Sequence, residues 1–246
     1  MDNCSAAKKL IKLLDLTSLN DDDNSGRIEK LCTTAHTPYG NVAAVCVYSR
    51  FVPLAKNLLE GDSIKVATVV NFPAGGTDFK ELIKEIEIAV NNGADELDIV
   101  LPYQALIAQD KNSCLKFFEI INKANKTIGK TIKIIIESGI LAKPSLITQA
   151  CQLCMENEVN FIKTSTGKTP VSATPEAANL ILENISSGRR NIGFKASGGI
   201  KTLDEAKKYL ILAESIMGEK WVSPQTFRIG ASSLLNDLIT TIERGY

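Results

Sequence analysis

Two lysines stand where apolar strands give way to loops. Lys163 ends the run 160–163 and Lys195 ends the run 192–195, and each is followed by a segment of small and polar residues. Lysine is seldom fully buried unless it is paired or functional. An amine that attacks a carbonyl near neutral pH needs its pKa lowered from about 10.4 to near 7, and partial burial and a second close cation both act in that direction. The pair therefore predicts a nucleophilic lysine with a cationic neighbour.

Two aspartates occupy similar surroundings. Asp15 lies in the apolar run 13–17, which we interpret as ending near it, and Asp98 lies between Leu97 and Ile99. Carboxylates near the two lysines would hold them in place or relay protons through water. Structural ion pairing of both lysines with Asp98 and Asp15 is the alternative and stays open at this point. Glu137, at the end of another apolar run, is a weaker candidate of the same kind.

Three loops rich in glycine, serine and threonine predict an anion site. Backbone N–H groups exposed by glycine and the start of a helix both favour negative charge. A phosphorylated small molecule is the ligand that this joint placement indicates. The candidate residues are Thr166, Gly167, Lys168, Gly198, Gly199, Ser232 and Ser233.

Short apolar runs that alternate with amphipathic segments must position these residues. Eight strands are predicted, and most are apolar throughout, as expected for parallel strands buried on both faces. Their ranges are 13–17, 41–48, 64–72, 96–101, 131–137, 160–164, 191–195 and 226–230. Helix starts are predicted at Asp78, at Thr174 with Pro175, and at Thr202 with Glu205, which follow the capping rules.

Eight strands that each precede a helix, in 246 residues, predict an α/β fold: a (β/α)8 TIM barrel. An extra N-terminal helix over residues 4–12 is expected before the first strand. No linker or change in composition divides the chain, so we expect one domain over residues 1–246. A doubly wound open sheet is the alternative. In the barrel, functional residues come from the carboxyl ends of the strands and the loops that follow them.

Composition narrows the classes of function. Lys plus Arg and Asp plus Glu both total 28, so no basic excess favours nucleic acid or a membrane surface. No signal peptide and no apolar run of membrane-spanning length is visible. The six cysteines are scattered as in reduced, cytosol-like proteins. Cys151 and Cys154 form a C-x-x-C, which we interpret as incidental helix cysteines instead of a redox or metal motif. A cytoplasmic protein with a local anion site is expected.

Seven motifs resemble the deoxyribose-phosphate aldolase family, in that family's order from about residue 13 to residue 235. The segment FIKTSTGK at 161–168 is the most specific of them. The others are LDLT at 14–17, AVCVY at 44–48, NFP at 71–73, GADELD at 93–98, GFK at 193–195 and GASS at 230–233.

The resemblance implies a barrel enzyme without metal or organic cofactor. It implies reversible cleavage of 2-deoxy-D-ribose 5-phosphate to acetaldehyde and D-glyceraldehyde 3-phosphate. The Schiff-base lysine would be Lys163, the pKa-lowering lysine Lys195 and the proton-relay aspartate Asp98. Asp15 would support the positions of substrate and lysine. Cys46 would be a pocket cysteine that the chemistry does not require.

The resemblance also extends to phosphate contacts, assembly and the chain end. Phosphate contacts would come from Gly167, Gly198, Gly199, Ser232 and Ser233, and a homodimer would be expected. Some members have proline after the second lysine, where this chain has Ala196 and then Ser197, a possible added phosphate donor. Some end in a tyrosine implicated in proton transfer, a role that would fall to Tyr246.

Three other functions compete with this one. Another Schiff-base barrel aldolase, acting on fructose phosphates or transferring a dihydroxyacetone unit, would share the lysine chemistry. A metal-free isomerase or synthase of the phosphate-binding barrels would work by acid–base catalysis alone. A sugar-phosphate sensor would need no lowered lysine pKa, so the combination of Lys163, Lys195 and Asp98 argues against it.

Overall fold

A computed structural model of the chain describes residues 2–188 and 191–245. The strands form one closed barrel in which every neighbouring pair is parallel, and β1 pairs with β8 to complete the ring. The strands are β1 (Leu14–Ser18), β2 (Ala44–Val47), β3 (Lys65–Val70), β4 (Glu96–Val100), β5 (Thr131–Ile135), β6 (Phe161–Lys163), β7 (Gly193–Ser197) and β8 (Phe227–Ala231). The (β/α)8 prediction is confirmed, and ring closure excludes the open sheet.

Helices surround the barrel and follow the strands in chain order. They are α1 (Asn3–Ile11), α2 (Ser25–Thr34), α3 (Val52–Leu58), α4 (Phe79–Asn91), α5 (Tyr103–Ile107), α6 (Lys111–Ile128), α7 (Ser138–Leu141), α8 (Pro144–Glu156), α9 (Pro175–Ser187), α10 (Leu203–Met217) and α11 (Leu234–Arg244). The extra helix α1 packs against α11. Within the two described ranges, none of the helices combines the length and hydropathy that a membrane-spanning helix requires.

The helix starts follow the predicted capping residues. The Thr202 hydroxyl accepts from the Glu205 N–H and Glu205 bonds back to the start of α10, which completes a capping box. Thr174 caps α9 by accepting from the Ala177 N–H. Asp78 caps α4 through its carboxylate, although the Glu81 side chain reaches Lys84 instead of returning to the cap. Local sequence therefore fixes where these helices begin.

Alternation along each strand separates two environments. In β4, Leu97 and Ile99 join the large apolar core between strands and helices, whereas Glu96 and Asp98 reach the charged side chains of other strands. All four are buried. This strand therefore carries its two charges on the inner face of the barrel and its apolar side chains on the outer face.

The predicted strand boundaries were wrong at several ends. β2 is limited to Ala44–Val47, and β7 runs two residues later than predicted, to Ser197. Ala196 and Ser197 therefore belong to the strand, and Lys195 lies at its middle. Asp15 is the second residue of β1 and not near its end. Strand tilt and stagger in a closed barrel bring residues from different positions along their strands into one layer.

Candidate active site

Seven charged side chains meet inside the barrel. Each exposes 5% or less of its surface. Four are cations and three are carboxylates: Lys133 of β5, Lys163 of β6, Lys195 of β7, Arg228 of β8, Asp15 of β1, and Glu96 and Asp98 of β4. Buried charges are costly unless they are paired, and every member of this set is paired with at least one opposite charge.

Asp98 is the centre of this network. Its Oδ2 accepts hydrogen bonds from Lys163 Nζ and Lys195 Nζ, both at 2.7 Å. Its Oδ1 accepts from Lys133 Nζ at 2.8 Å. Burial alone would raise the pKa of Asp98, but the three ammonium groups together hold that pKa well below its usual range. Asp98 is therefore a carboxylate that stays ionised at neutral pH.

The two predicted lysines differ in how many carboxylates they contact. Lys195 Nζ donates to Asp15 Oδ2 at 2.5 Å as well as to Asp98. Lys163 Nζ shares Asp98 Oδ2 with Lys195. Asp15 is itself held by Arg228 Nη1, 2.5 Å from its Oδ1. The ion pairing of the two lysines with Asp15 and Asp98, which the sequence left open as an alternative, is therefore present. It is unequal, because Lys195 contacts both carboxylates and Lys163 contacts Asp98.

This inequality moves the two pKa values in opposite directions. Burial lowers the pKa of Lys163, and the Lys195 ammonium lowers it further against the pull of Asp98. Burial would also lower the pKa of Lys195, but the carboxylates of Asp15 and Asp98 outweigh it and hold that pKa well above its usual value. Lys163 is thus the lysine suited to attack as a free amine, and Lys195 remains a cation.

Sequence reasoning missed a deeper part of the network. Lys133 Nζ lies 2.5 Å from Glu96 Oε2, and Arg228 Nη2 lies 3.0 Å from Glu96 Oε1. The signal was the same as for the predicted residues, because Lys133 and Arg228 each interrupt an apolar strand. The sequence did not show that they join this network, because strand tilt and stagger decide which charges meet inside a closed barrel.

A cavity of about 190 Å³ opens directly above Lys163. It lies between the ends of β6, β7, β8 and β1. Of the predicted residues, it is lined by Lys163, Thr166, Gly167, Lys168, Ser197, Gly198, Gly199 and Ser232. It is also lined by Lys201 and Asn20, which the sequence analysis did not name. The reactive amine and the predicted anion loops therefore share one cavity.

The loop side of the cavity is built largely from backbone. Gly198 and Gly199 follow β7 with φ of 91° and 81°, where glycine carries no steric penalty. A Cβ on Gly198 would lie 2.5 Å from the Cβ of Ser172, so this loop packs too closely for a side chain. Such turns direct N–H groups toward an anion. The Lys168 and Lys201 side chains add positive charge beside them.

The remaining predicted residues have other positions. Ser233 is the N-cap residue of α11 and lies next to Ser232, beyond the cavity lining. Cys46 lies in a small apolar cluster with Leu19, Ala67 and Val69, and burial raises the pKa of its thiol to about 11. Cys46 is therefore a buried, neutral thiol outside the cavity lining and not an anion contact.

Ser197, a possible added phosphate donor in the sequence analysis, makes a hydrogen bond within the protein. The Ser197 hydroxyl donates to the carbonyl oxygen of Ser165 at 2.5 Å, so it ties β7 to the loop after β6 instead of serving as a free anion donor. Tyr246 lies outside the described residues. Cys151 and Cys154 are both buried in α8, away from the cavity lining. Among residues 2–188 and 191–245, no three His, Cys, Asp or Glu side chains group as metal ligands.

Comparison with known proteins gives one family and a set of similar barrels. A family model described as DeoC/LacD family aldolase matches residues 9–239. A protein from Coccidioides immitis proposed to be a deoxyribose-phosphate aldolase is 27% identical, with a TM-score of 0.81, over 94% of this chain and 85% of that one. An aldolase designated QR15 is 29% identical, with a TM-score of 0.78, over 96% and 97%.

A third structure supports the fold alone. It is a protein from Toxoplasma gondii proposed to be a deoxyribose-phosphate aldolase, 23% identical, with a TM-score of 0.89. The match covers 98% of this chain and 97% of that one. The architecture described above therefore recurs over nearly the full length of both chains.

Proposed function

The chain belongs to the DeoC/LacD family of aldolases, and from that premise we propose that it reversibly cleaves 2-deoxy-D-ribose 5-phosphate through a Schiff base on Lys163. The products are acetaldehyde and D-glyceraldehyde 3-phosphate. The observation that carries the proposal is the buried Lys163 amine, with its lowered pKa, at the floor of a cavity whose other side is built to hold an anion.

The first steps need Lys163 as a free amine. Its Nζ attacks the aldehyde carbon of the open-chain sugar, and loss of water leaves a protonated imine. The imine withdraws electrons from the bond between the second and third sugar carbons. That bond breaks when the hydroxyl on the third carbon loses its proton, which leaves an enamine on Lys163 and releases glyceraldehyde 3-phosphate. Protonation of the enamine and hydrolysis then release acetaldehyde.

Asp98 and Lys195 position the water molecule that carries the protons in these steps. The pKa of Asp98 is held too low for it to keep a proton at neutral pH, and Lys195 is held in its charged form. We assign to them the orientation of a water molecule that accepts the hydroxyl proton and later protonates the enamine. Asp15 keeps Lys195 in place through its 2.5 Å contact, and Arg228 fixes Asp15.

The anion loops orient the substrate. A phosphate held by the backbone of Gly167, Gly198 and Gly199 lies remote from the reacting carbons. Binding energy from such a remote group reduces the entropic cost of placing the reacting atoms. Lys168 and Lys201 flank this position and match the charge of a phosphate. The ligand that fits both ends of the cavity is a small phosphorylated aldehyde sugar.

A substrate comparison tests this proposal. Purified protein is given 2-deoxyribose 5-phosphate, fructose 6-phosphate or fructose 1,6-bisphosphate at equal concentration, and the aldehyde products are quantified. We expect acetaldehyde from the first substrate and cleavage of the other two at under about one-hundredth of that rate, since they lack the aldehyde at the first carbon. Preferred cleavage of a fructose phosphate would favour a different Schiff-base aldolase, and cleavage of none would favour the isomerase or sensor functions.

A further inference from the structure

Glu137 has an unusual backbone and an unusual environment. It follows β5 at the carboxyl end of the barrel, with φ of 50° and ψ of 58°, in the left-handed region that residues with side chains seldom adopt. Its side chain is fully buried. Strained backbone of this kind persists where the surrounding structure enforces it, and it concentrates at functional sites. The strain therefore raises the question of what the carboxylate holds.

The carboxylate accepts hydrogen bonds from one loop. Its Oε2 accepts from the Thr166 hydroxyl at 2.6 Å and from the Thr166 N–H at 3.2 Å. Its Oε1 lies 3.2 Å from the Thr169 hydroxyl, whose single hydrogen it shares with the carbonyl oxygen of Val171 at 2.9 Å. The buried ion pairs of the barrel are made by the other carboxylates, Asp15, Glu96 and Asp98. Glu137 is thus satisfied by neutral donors on the segment that follows β6.

The two threonines bracket the residues that line the cavity. Gly167, with φ of 78°, and Lys168 lie between them, and both line the cavity. The Thr166 hydroxyl that donates to Glu137 also accepts from the Lys168 N–H at 3.1 Å. At the apex, Lys168 Nζ reaches across the cavity to the carbonyl oxygen of Leu19 at 2.6 Å. One carboxylate therefore holds both ends of a turn whose middle faces the ligand.

We propose that Glu137 is a positioning residue that clamps the 166–169 turn in its anion-binding shape through Thr166 and Thr169. The inference rests on the proposed function, because it assigns the phosphate side of that substrate to this turn. Glu137 does not line the cavity itself. It acts through the Gly167 backbone and Lys168.

A purely structural role would give a different pattern of defects. Loss of the clamp loosens only the turn after β6, whereas the Lys163–Asp98–Lys195 contacts do not involve Glu137. Phosphate binding should therefore weaken while Schiff-base formation with acetaldehyde, which carries no phosphate, should not. A general loss of fold would reduce both together.

The test compares Glu137→Gln and Thr169→Val with the parent protein. Glutamine keeps the size of the Glu137 side chain, but its NH₂ group replaces one carboxylate oxygen and cannot accept a hydrogen bond. Valine removes the Thr169 hydroxyl, which contacts Glu137 Oε1 and the Val171 carbonyl oxygen. Glu85→Gln is the matched control, because Glu85 also accepts from a loop N–H after a strand, that of Asn71 at 2.6 Å, outside this cavity. Affinity for inorganic phosphate, KM and kcat for 2-deoxyribose 5-phosphate, and the rate of borohydride-trapped acetaldehyde adduct are measured for each.

For Glu137→Gln we expect phosphate affinity to fall and KM to rise by about tenfold, the factor for one lost hydrogen bond to a charged group. For Thr169→Val the same change should be smaller, about threefold. Adduct formation should stay within about twofold of the parent in both variants and in the control. If Glu137→Gln fails to fold, Thr169→Val carries the test alone.

Two results would overturn the inference. One is unchanged phosphate affinity and KM in both variants, and the other is adduct formation that falls in proportion to phosphate affinity. A parent protein that binds phosphate and forms the adduct would keep the proposed function in either case. A parent that does neither would overturn the proposed function and this inference together.

Discussion

The two sides of the cavity are built in different ways. The floor is the set of seven buried charged side chains described above, which are bonded to one another, and Lys163 is the member that lines the cavity. The opposite side consists of glycine turns and the start of a helix, where backbone groups face the cavity. A shifted lysine pKa requires burial and neighbouring charges, whereas anion binding requires only N–H groups in the right geometry. Chemistry and binding therefore depend on separate regions.

The floor carries one more cation than carboxylates, four against three. A buried network is most stable when its charges balance, so one cation is favoured to lose its proton. Arg228 cannot, and Lys133 and Lys195 are each held by two close carboxylates. Lys163 is the cation that the network can release as a free amine.

Lys163→Leu should have the largest effect. It removes the nucleophile, so turnover of 2-deoxyribose 5-phosphate should fall to the uncatalysed background, measured as acetaldehyde released. Because the variant also removes the excess cation, its free energy of unfolding in urea should stay within about 1 kcal/mol of the parent. Lys65→Leu, at an exposed lysine that begins β3, is the control and should remain fully active. Substantial turnover by Lys163→Leu would refute the role.

Asp98→Asn should impair both chemistry and stability. The variant leaves the Lys133, Lys163 and Lys195 amines without their shared carboxylate. We expect kcat to fall by about 10²–10⁴ and the free energy of unfolding by roughly 3–5 kcal/mol. Activity assays and urea titration measure the two. A stable variant with parental kcat would show that the floor is not a coupled network.

Lys195→Leu should reduce kcat by about 10² and change the pH profile. The Lys195 ammonium lowers the pKa of Lys163, so its removal raises that pKa and leaves less free amine at neutral pH. The rising limb of kcat/KM against pH should therefore move to higher pH than in the parent. A profile with an unchanged limb would remove Lys195 from the account of the lowered pKa.

Gly198→Ala and Gly199→Ala test the loop side with the smallest expected effect. Both glycines have positive φ, but an added Cβ would collide with Ser172 at Gly198 and would meet nothing within 4 Å at Gly199. KM for 2-deoxyribose 5-phosphate should rise by about tenfold in Gly198→Ala and by less in Gly199→Ala. The rate of acetaldehyde adduct formation should hardly change in either. A larger defect in Gly199→Ala would mean that crowding does not shape this loop.

The sequence predicted the barrel and four of the seven charged residues of the floor, namely Asp15, Asp98, Lys163 and Lys195. Lys163 and Asp98 were recognisable because a charged residue inside an apolar strand is costly to bury unless it is paired or functional. The capping residues Thr174 and Thr202 identified the starts of two of the surrounding helices. Lys133 and Arg228 carried the same signal, but the sequence did not show that they join the same network. Which of these charges meet depends on strand stagger, a property of the closed barrel that no single segment encodes.

Roles that depend on long-range packing were also beyond the sequence. The Ser197 hydroxyl bonds to the Ser165 carbonyl in the loop after β6, and Glu137 bonds to the turn at Thr166 in the same loop. Ser197 ends a strand and Glu137 follows one, and both are polar. The sequence alone therefore could not show whether each side chain contacts the ligand or holds a neighbouring loop in place. The phosphate contacts and the role of Tyr246 stay predictions.

The most direct test of the central claim is reduction with borohydride in the presence of acetaldehyde, followed by peptide mapping of the modified residue. The account predicts a reduced two-carbon adduct on Lys163, loss of activity in step with its formation, and no adduct on Lys195. An adduct confined to another lysine, or inactivation without any adduct, would contradict the assignment of Lys163 as the Schiff-base residue. No adduct and no inactivation would contradict Schiff-base chemistry in this protein altogether.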